Sequence, residues 1–227
     1  MSLSTILLGL LAINLLLFVH ELGHYLAARA VGMDVVEFSV GMGPRLLRIR
    51  RGHTDYVLRL VPLAGYVLLP DLAPEEGAPV VSAYRRMIAM LAGPLANVLF
   101  AVLLVGPSDT LFLLGWWFTQ MSDLFTKGGE LIGVVAISDQ VGQAALMGWR
   151  HLTVTSSFLS LNFAILNLLP IPGLDGGRLV SLMLEKLNGG RRPHWEPAVQ
   201  AVGLLAILGL SVWLVGQDIL RALGWIS

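Results

Sequence analysis

The sequence predicts an all-α integral membrane protein with about four transmembrane helices and one small cytoplasmic β-hairpin region that re-enters the membrane. Of its 227 residues, 56% are hydrophobic and only 13% are charged, and the mean hydropathy is +0.75. A soluble domain normally carries about 25% charged residues. Several apolar runs also approach the roughly 20 residues that a membrane span needs. We therefore predict a single membrane-embedded domain over residues 1–227.

Four segments have the length and apolar character of a span, at about residues 3–30, 87–105, 152–169 and 201–216. The first has no basic region before it and no small-residue cleavage site after it, so we interpret it as a retained helix and not a signal peptide. The third is unusually polar, with Thr153, Thr155, Ser156, Ser157, Ser160, Asn162 and Asn167. Because polar groups need partners inside a bilayer, we expect this helix to face protein rather than lipid.

Basic residues predict the orientation of these spans. The loop between the first and second spans carries Arg45, Arg48, Arg50, Arg51, Arg59, Arg85 and Arg86, and the loop between the third and fourth carries Arg178, Lys186, Arg191 and Arg192. The loop between the second and third spans has only Lys127 and Arg150. By the positive-inside rule, the first and third loops are cytoplasmic and both termini lie outside the cytoplasm.

The first loop is expected to contain small β-hairpins. Runs of branched and aromatic residues at 35–40, 46–49 and 56–61 are separated by turn-forming residues. Residues 62–70 are predicted to continue as an apolar loop that dips into the membrane, and residues 70–79 to form a linker. The short outer loop, about residues 106–150, contains an apolar run with two tryptophans that suits the membrane interface.

The strongest functional pattern is His20-Glu21-Leu22-Gly23-His24. Residues i and i+4 share one face of a helix, so both imidazoles can reach one metal ion, and Glu21 lies beside them to take a proton from a water. The alternative is a pair of histidines packed near a helix end. A helix that enters the membrane at Leu3 reaches His20 after about 25 Å, so the motif is expected near the cytoplasmic boundary, where ionisable groups are costly without partners.

Asp175 is the predicted third ligand, since a catalytic zinc ion usually has three protein ligands and one open position. It follows the third span in a segment that contains Pro170, Pro172 and Gly173, which end the helix and let the backbone turn. The alternative is that Asp175 caps a helix over residues 176–187. Asp218 is a weaker candidate, because it lies at the outer end of the fourth span.

Composition excludes several other kinds of site. The chain has no cysteine, so thiolate metal sites and cysteine nucleophiles are excluded, and a net charge of zero gives no basic patch for nucleic acid. His53, His151 and His194 lack a partner at ligand spacing, and we interpret them as surface residues.

Taken together, His20–His24, Gly93–Asn97 and Asn167–Gly177 resemble the site-2 protease family of intramembrane metalloproteases, and most of all its bacterial regulator-of-sigma-E branch. Residues Phe38–Arg45 and Pro62–Val67 are also similar to the cytoplasmic β-hairpin region of that branch. The resemblance covers most of the chain except the outer loop. It implies regulated intramembrane proteolysis in a bacterial inner membrane, with single-span membrane proteins as substrates and the lipid bilayer around them.

The resemblance also implies roles for individual residues. His20, His24 and Asp175 would hold Zn²⁺, and Glu21 would be the catalytic base. Substrate would be bound by Asn167, by the strand edge at Gly65, Tyr66 and Val67, and by Asn97, for which a helix-packing amide is an equal alternative. The chain departs from that branch in one respect: only about 45 residues stand where one or two PDZ domains are usual, which puts PDZ-based selection of substrates in doubt.

Two other functions compete with the protease. Broken helices and buried charges also occur in transporters, but the chain has few spans, no repeated halves and an HExxH spacing that transport does not explain. A metal-bound but inactive scaffold is the second alternative, and Glu21 argues against it because a scaffold needs no base at that position. Zinc content would separate protease from transporter.

Overall fold

The structure, a computed structural model, describes residues 2–72, 81–123, 126, 133–191 and 193–225. Most of the predicted linker at 70–79 therefore lies outside the described residues, as do Lys127 and Arg192. The chain divides into two compact units. One consists of Met1–Leu16, Val98–Phe163 and Leu205–Ser227, and the other of Leu17–Asn97 and Ala164–Leu204.

The elements of the described residues are, in chain order, α1 (Leu3–Ala30), β1 (Glu37–Arg51), β2 (Thr54–Leu68), α2 (Ala83–Val105), α3 (Pro107–Asp123), α4 (Val134–Leu146), α5 (Trp149–Leu168), α6 (Asp175–Leu187) and α7 (Glu196–Ala222). A single 3-10 turn, Pro70–Leu72, follows β2. The predicted helical class is confirmed, and the prediction of a single domain stays a prediction.

In the part of the chain that the structure describes, three helices, α1, α2 and α7, are long and apolar enough to cross a membrane, and the chain is an integral membrane protein. They correspond to the first, second and fourth predicted spans. Helix α7 is longer than the predicted 201–216, because helix formation continues past the apolar run into polar residues such as Gln217, Asp218 and Arg221. Helix α5 forms where the third span was predicted but is not among the three, and its crossing of the membrane stays a prediction.

The polar residues of α5 face protein, as expected. Thr153, Ser156, Ser157 and Ser160 are all buried. The Ser157 hydroxyl donates to the Thr153 carbonyl at 2.8 Å. Within the same unit, Asn162 accepts a hydrogen bond from the indole N–H of Trp117 at 2.7 Å. Ser157 and Asn162 therefore find the partners that a dry environment requires.

The strands β1 and β2 form one antiparallel hairpin that folds back on itself. At the tip Arg51 pairs with Thr54, whereas the start of β1, residues 37–40, pairs both with residues 55–58 and with residues 65–68. The prediction that residues 62–70 form a loop is therefore wrong from residue 62 to residue 68, which belong to β2. Pairing with β1 satisfies backbone groups that a loop would leave open; the Val36 amide, for example, donates to the Leu68 carbonyl at 3.0 Å.

The predicted outer loop contains two helices, α3 and α4, and the first residues of α5. The apolar run with two tryptophans is part of α3, which begins at Pro107 and has Asp109 in its first turn, both favourable at a helix start. Asp218 caps α4, because its carboxylate accepts the Gly133 and Ala136 amides at 3.0 Å each. This capping contact gives Asp218 a structural role.

Helix α6 is tied to α2 by a buried ion pair. Arg86 donates through both terminal nitrogens to the two carboxylate oxygens of Glu185, and Arg86 is only 1% exposed. Such a bidentate pair fixes geometry as well as charge. Leu179 and Leu182 of α6 pack in the same unit against Ala28, Ala89 and Met90. The start of α6, where Asp175 lies, is thereby held beside α1 and α2.

Candidate metal centre

The three predicted ligands come together in one unit. His20 Nε2 lies 3.1 Å from His24 Nε2, and Asp175 Oδ2 lies 3.0 Å from the first and 3.2 Å from the second. Both histidines are buried and the Asp175 side chain is 16% exposed. Three ligands at 2.0–2.1 Å from a tetrahedral zinc ion are about 3.3 Å apart. The donor atoms therefore already have nearly the spacing that such an ion needs.

Asp175 reaches this position because α5 ends at Leu168 and the chain turns sharply before α6. Gly173 supports the turn with a φ of +93°, a value that side chains rarely adopt. Gly176 allows α6 to start against the end of α5, since a Cβ there would lie 2.2 Å from the Leu169 carbonyl oxygen. Leu174 is the N-cap of α6, and no side chain caps it, so the alternative capping role of Asp175 is not observed.

The Nδ1 atoms of His20 and His24 also have partners, and both partners belong to α2. His24 Nδ1 lies 2.7 Å from the Ala89 carbonyl oxygen, and His20 Nδ1 lies 3.3 Å from Asn97 Nδ2. Such second contacts fix the tautomer and the ring orientation of metal-binding histidines. Gly93 makes the first contact possible, because a Cβ at this position would lie 2.3 Å from His24 Nε2.

Glu21 points from the same helix towards the β-hairpin. Its side chain is half-buried, and none of the described residues donates a hydrogen bond to its carboxylate. A Cβ built on Gly65 would lie 3.1 Å from Glu21 Cγ and 2.8 Å from the Ser39 carbonyl oxygen. The backbone of β2 at Gly65 thus passes directly beside the free carboxylate.

A cavity of about 310 Å³ lies against the ligand group. Eight of the nine residues that the sequence singled out line it: the three ligands, Glu21, Asn167 and the Gly65–Val67 segment. Its volume is at the lower end of the range of about 300–1,000 Å³ for ligand sites. The exposed positions of His53, His151 and His194 agree with their interpretation as surface residues.

Asn97 is the ninth residue, and the structure does not bring it to the cavity. It is fully buried and contacts the far side of the His20 ring. This contact with His20 fits the alternative of a helix-packing amide, and substrate binding by Asn97 stays a prediction. The position of Asn97 along α2 puts its amide against His20 Nδ1, on the side of the ring that faces away from the cavity.

Sequence reasoning missed two contributors. The Ala89 carbonyl carries no side-chain signal, although a hydrogen-bond partner for a ligand histidine is a general expectation. Arg178 also lines the cavity, one turn of α6 beyond Asp175, and was considered only as a charge for orientation. The sequence offered one signal for this position, because Arg178 follows Asp175 by three residues on the same helix.

Comparison with known proteins finds a protein family whose sequence profile matches this chain. The sequence profile of peptidase family M50 matches residues 8–210 of the chain, which include all nine residues discussed above. A protein of Fusobacterium nucleatum described as a zinc metalloprotease is 23% identical over 334 residues, covering 95% of this chain and 98% of the relative. A Synechocystis protein with the same description is 24% identical over 345 residues, covering 94% and 93%.

A third relative is more similar over a shorter stretch. A Clostridium acetobutylicum protein, again described as a zinc metalloprotease, is 37% identical over 120 residues, covering 50% of this chain and 35% of the relative. The two longer alignments exceed the 227 residues of this chain. Those relatives therefore contain segments that have no counterpart here.

Proposed function

Since the chain belongs to peptidase family M50, the site-2 protease family, we propose that it is a zinc metalloendopeptidase that hydrolyses peptide bonds in or near transmembrane segments of other membrane proteins. The observation that carries this proposal is the meeting of His20 Nε2, His24 Nε2 and Asp175 Oδ2 at 3.0–3.2 Å. The substrates are single-span membrane proteins in the surrounding bilayer, and nucleic acid is not among the partners. The reaction is a step of regulated intramembrane proteolysis.

His20, His24 and Asp175 would hold the zinc ion. A zinc ion bound by three protein ligands lowers the pKa of a water to about 7 and polarises a carbonyl oxygen. The donor set fits, because two neutral imidazoles and one carboxylate leave a fourth position open, as catalytic zinc sites do. The cavity beside the ligands offers the space for that position.

The two contacts to α2 prepare the histidines for this task. When His24 Nδ1–H donates to the Ala89 carbonyl, its Nε2 lone pair is free to face the other ligands. His20 needs the same tautomer. With the Asn97 amide turned so that Oδ1 faces the ring, Asn97 accepts the Nδ1 proton of His20 and leaves Nε2 free.

Glu21 is the catalytic base. Its carboxylate accepts a proton from the attacking water, because no described residue donates to it and because it stands beside the ligands on α1. The same carboxylate then returns the proton to the leaving amine, as microscopic reversibility allows. A strictly positioned base of this kind contributes about 10²–10⁴-fold to a rate.

The substrate must lose its helical hydrogen bonds before cleavage, and its backbone groups then need new partners. Residues 65–68 pair with β1 in the described structure and present a strand edge to the cavity. We infer that an extended substrate adds to this edge at Gly65–Val67. Asn167, which also lines the cavity, would hold a further backbone group of the substrate.

Replacement of Asn167 by Ala tests that role. We expect the KM for a single-span substrate to rise about 2- to 12-fold, since an amide hydrogen bond contributes about 0.5–1.5 kcal/mol and each 1.4 kcal/mol is a factor of ten. Zinc content should not change. Asn188→Ala, at the exposed C-cap of α6, is the matched control and should leave KM unaltered. Wild-type kinetics for Asn167→Ala would remove the amide from substrate binding.

The family and the distribution of charge support a proposal for the location of the protein. We propose a multi-pass protein of a bacterial inner membrane, with both termini outside the cytoplasm. The arginines of the hairpin region and the Arg178–Arg191 segment support a cytoplasmic position of the first and third loops.

Metal removal in a reconstituted system tests the proposed function. The purified chain, in bilayers with a model single-span substrate, should contain about one zinc ion per chain and should cleave the substrate. Cleavage should stop on treatment with a chelator and return when zinc is added back. Intact protein that contains no zinc and cleaves nothing would favour the transporter, and zinc without any cleavage would favour the inactive scaffold.

A further inference from the structure

A buried charge network lies in the β-hairpin beside the cavity. Glu37, at the start of β1, is 6% exposed and accepts three hydrogen bonds. They come from Arg59 Nη2 at 2.7 Å, from the Tyr66 hydroxyl at 2.6 Å and from Arg45 Nη2 at 3.1 Å. Burial alone would raise the pKa of Glu37, but the hydrogen bonds from Tyr66 and Arg59 hold it below its ordinary value. The carboxylate is therefore ionised at neutral pH.

Arg59 is the centre of this network. Its side chain is 14% exposed, and it donates to the Ser39 hydroxyl at 2.9 Å, to the Gly43 carbonyl at 2.7 Å and to the Tyr66 hydroxyl at 2.6 Å. The guanidinium also lies 5.4 Å from the centre of the Tyr66 ring. One arginine thus joins both ends of the folded-back hairpin, since Ser39 and Gly43 belong to β1 and Tyr66 to β2.

The ladder between β1 and β2 is irregular next to this network. The register shifts repeatedly between residues 40 and 47 of β1, where the ladder passes from its inner part to its tip. Bulges of this kind leave ladder groups unpaired and change the twist of a strand. Among the described residues, 65–68 pair with β1 alone, so this segment is an edge strand with a neighbour on one side.

The hairpin is anchored to α1 on both sides of the histidine motif. The Phe38 ring contacts Phe18 edge-on at 5.9 Å between ring centres and Tyr25 at 5.3 Å. The Tyr25 and Tyr56 hydroxyls are 2.6 Å apart. Phe38 follows Glu37 directly, so the network starts at the point where β1 is fixed to the helix that carries Glu21.

We propose that Glu37, Arg59 and the Tyr66 hydroxyl are positioning residues that fix the strand edge at Gly65–Val67 over Glu21. The chain of contacts runs from α1 through Phe38 to Glu37, and from Glu37 to Tyr66, whose neighbour Gly65 lies beside Glu21. The Tyr66 hydroxyl thus ties β2 to Glu37, while the Tyr66 backbone is part of the strand edge at Gly65–Val67. This inference rests on the proposed function, because it assigns the network to the placement of a substrate strand.

Kinetics of three variants test the proposal. Glu37→Gln and Tyr66→Phe each remove one part of the network with little change of shape. The matched control is Arg48→Gln, which removes the ion pair between the exposed Arg48 side chain and Asp55 in the same hairpin. We expect KM for a single-span substrate to rise about tenfold in the first two variants, as for a lost hydrogen bond to a charged group. Zinc content should remain that of the wild type, and Arg48→Gln should keep the wild-type KM.

The division between KM and kcat separates positioning from mere stability. A fold that is partly lost reduces the number of active molecules, so it lowers the apparent kcat and leaves KM unchanged. A displaced strand weakens binding of the substrate in molecules that are otherwise intact. A lowered kcat with an unchanged KM in Glu37→Gln would overturn the proposal.

A structural readout tests the same proposal without any catalysis. The chain has no cysteine, so two nitroxide labels can be attached at Leu26→Cys on α1 and Leu68→Cys on β2, both exposed positions. We expect Glu37→Gln to broaden or shift the distance distribution between the labels, and Arg48→Gln to leave it as it is. An unchanged distribution in Glu37→Gln would overturn the network's role. If the wild type neither binds zinc nor cleaves, the proposed function fails, and the label distances still decide whether the network holds the strand.

Discussion

Replacement of Glu21 by Gln is expected to reduce peptide-bond hydrolysis by about 10²–10⁴-fold, the usual contribution of a general base. Gln has nearly the same size and can still accept a hydrogen bond, but it cannot take a proton from water. None of the described residues donates to the Glu21 carboxylate, so the replacement breaks no hydrogen bond among them. Initial rates on a reconstituted single-span substrate, together with the zinc content of the purified variant, measure the effect.

The zinc content is the informative control for this variant. Glu21 is not one of the three ligands that meet at 3.0–3.2 Å, so Glu21→Gln should keep about one zinc ion per chain. Asp109→Asn, which removes an exposed carboxylate from the first turn of α3, should change neither quantity. Persistent turnover in Glu21→Gln would exclude Glu21 as the base, whereas loss of zinc together with turnover would mean that the carboxylate supports the metal.

The ligand group was predictable from the sequence because each part of it depends on local geometry. The spacing of His20 and His24 fixes both rings on one face of any helix, whatever surrounds it. Asp175 follows a pair of prolines that must end a helix, so its place at a helix boundary was also a local property. What the sequence could not supply was the distance between α1 and α6, which depends on packing through α2 and on the Arg86–Glu185 pair.

The surroundings of the ligands were less predictable because they depend on contacts between distant residues. The end of β2 turns back and pairs with residues 37–40. No periodic pattern in the sequence connects these two segments, and Pro62 and Gly65 favoured a loop at the end of β2. Asn97 was recognised as part of a pattern, yet its side of α2, and hence its contact with His20, follows only from helix packing. Helix α5 shows the opposite case, since its many hydroxyl and amide groups correctly predicted a helix that faces protein.

Replacement of Gly93 by Ala is expected to weaken zinc binding by about 10–100-fold, the usual cost of losing a second contact to a metal ligand. A Cβ at this position would lie 2.3 Å from His24 Nε2 and 2.6 Å from Cε1, far inside normal contact. Helix α2 cannot easily retreat, because its contact with His24 depends on the Ala89 carbonyl at 2.7 Å. Either the ring turns away from His20 and Asp175, or the helices separate and the Ala89 contact is lost.

Zinc retention during dialysis against graded chelator concentrations measures this effect separately from turnover. The matched control is Gly209→Ala on α7, where a Cβ meets no atom within 4 Å, so that the same change of residue type adds no clash. It should keep the zinc affinity of the wild type and, as a helical Gly-to-Ala change, should not lower stability. Wild-type zinc affinity in Gly93→Ala would mean that His24 does not lie against α2 when metal is bound. The assignment of the Ala89 carbonyl as its partner would then be wrong, while the three ligands themselves would stand.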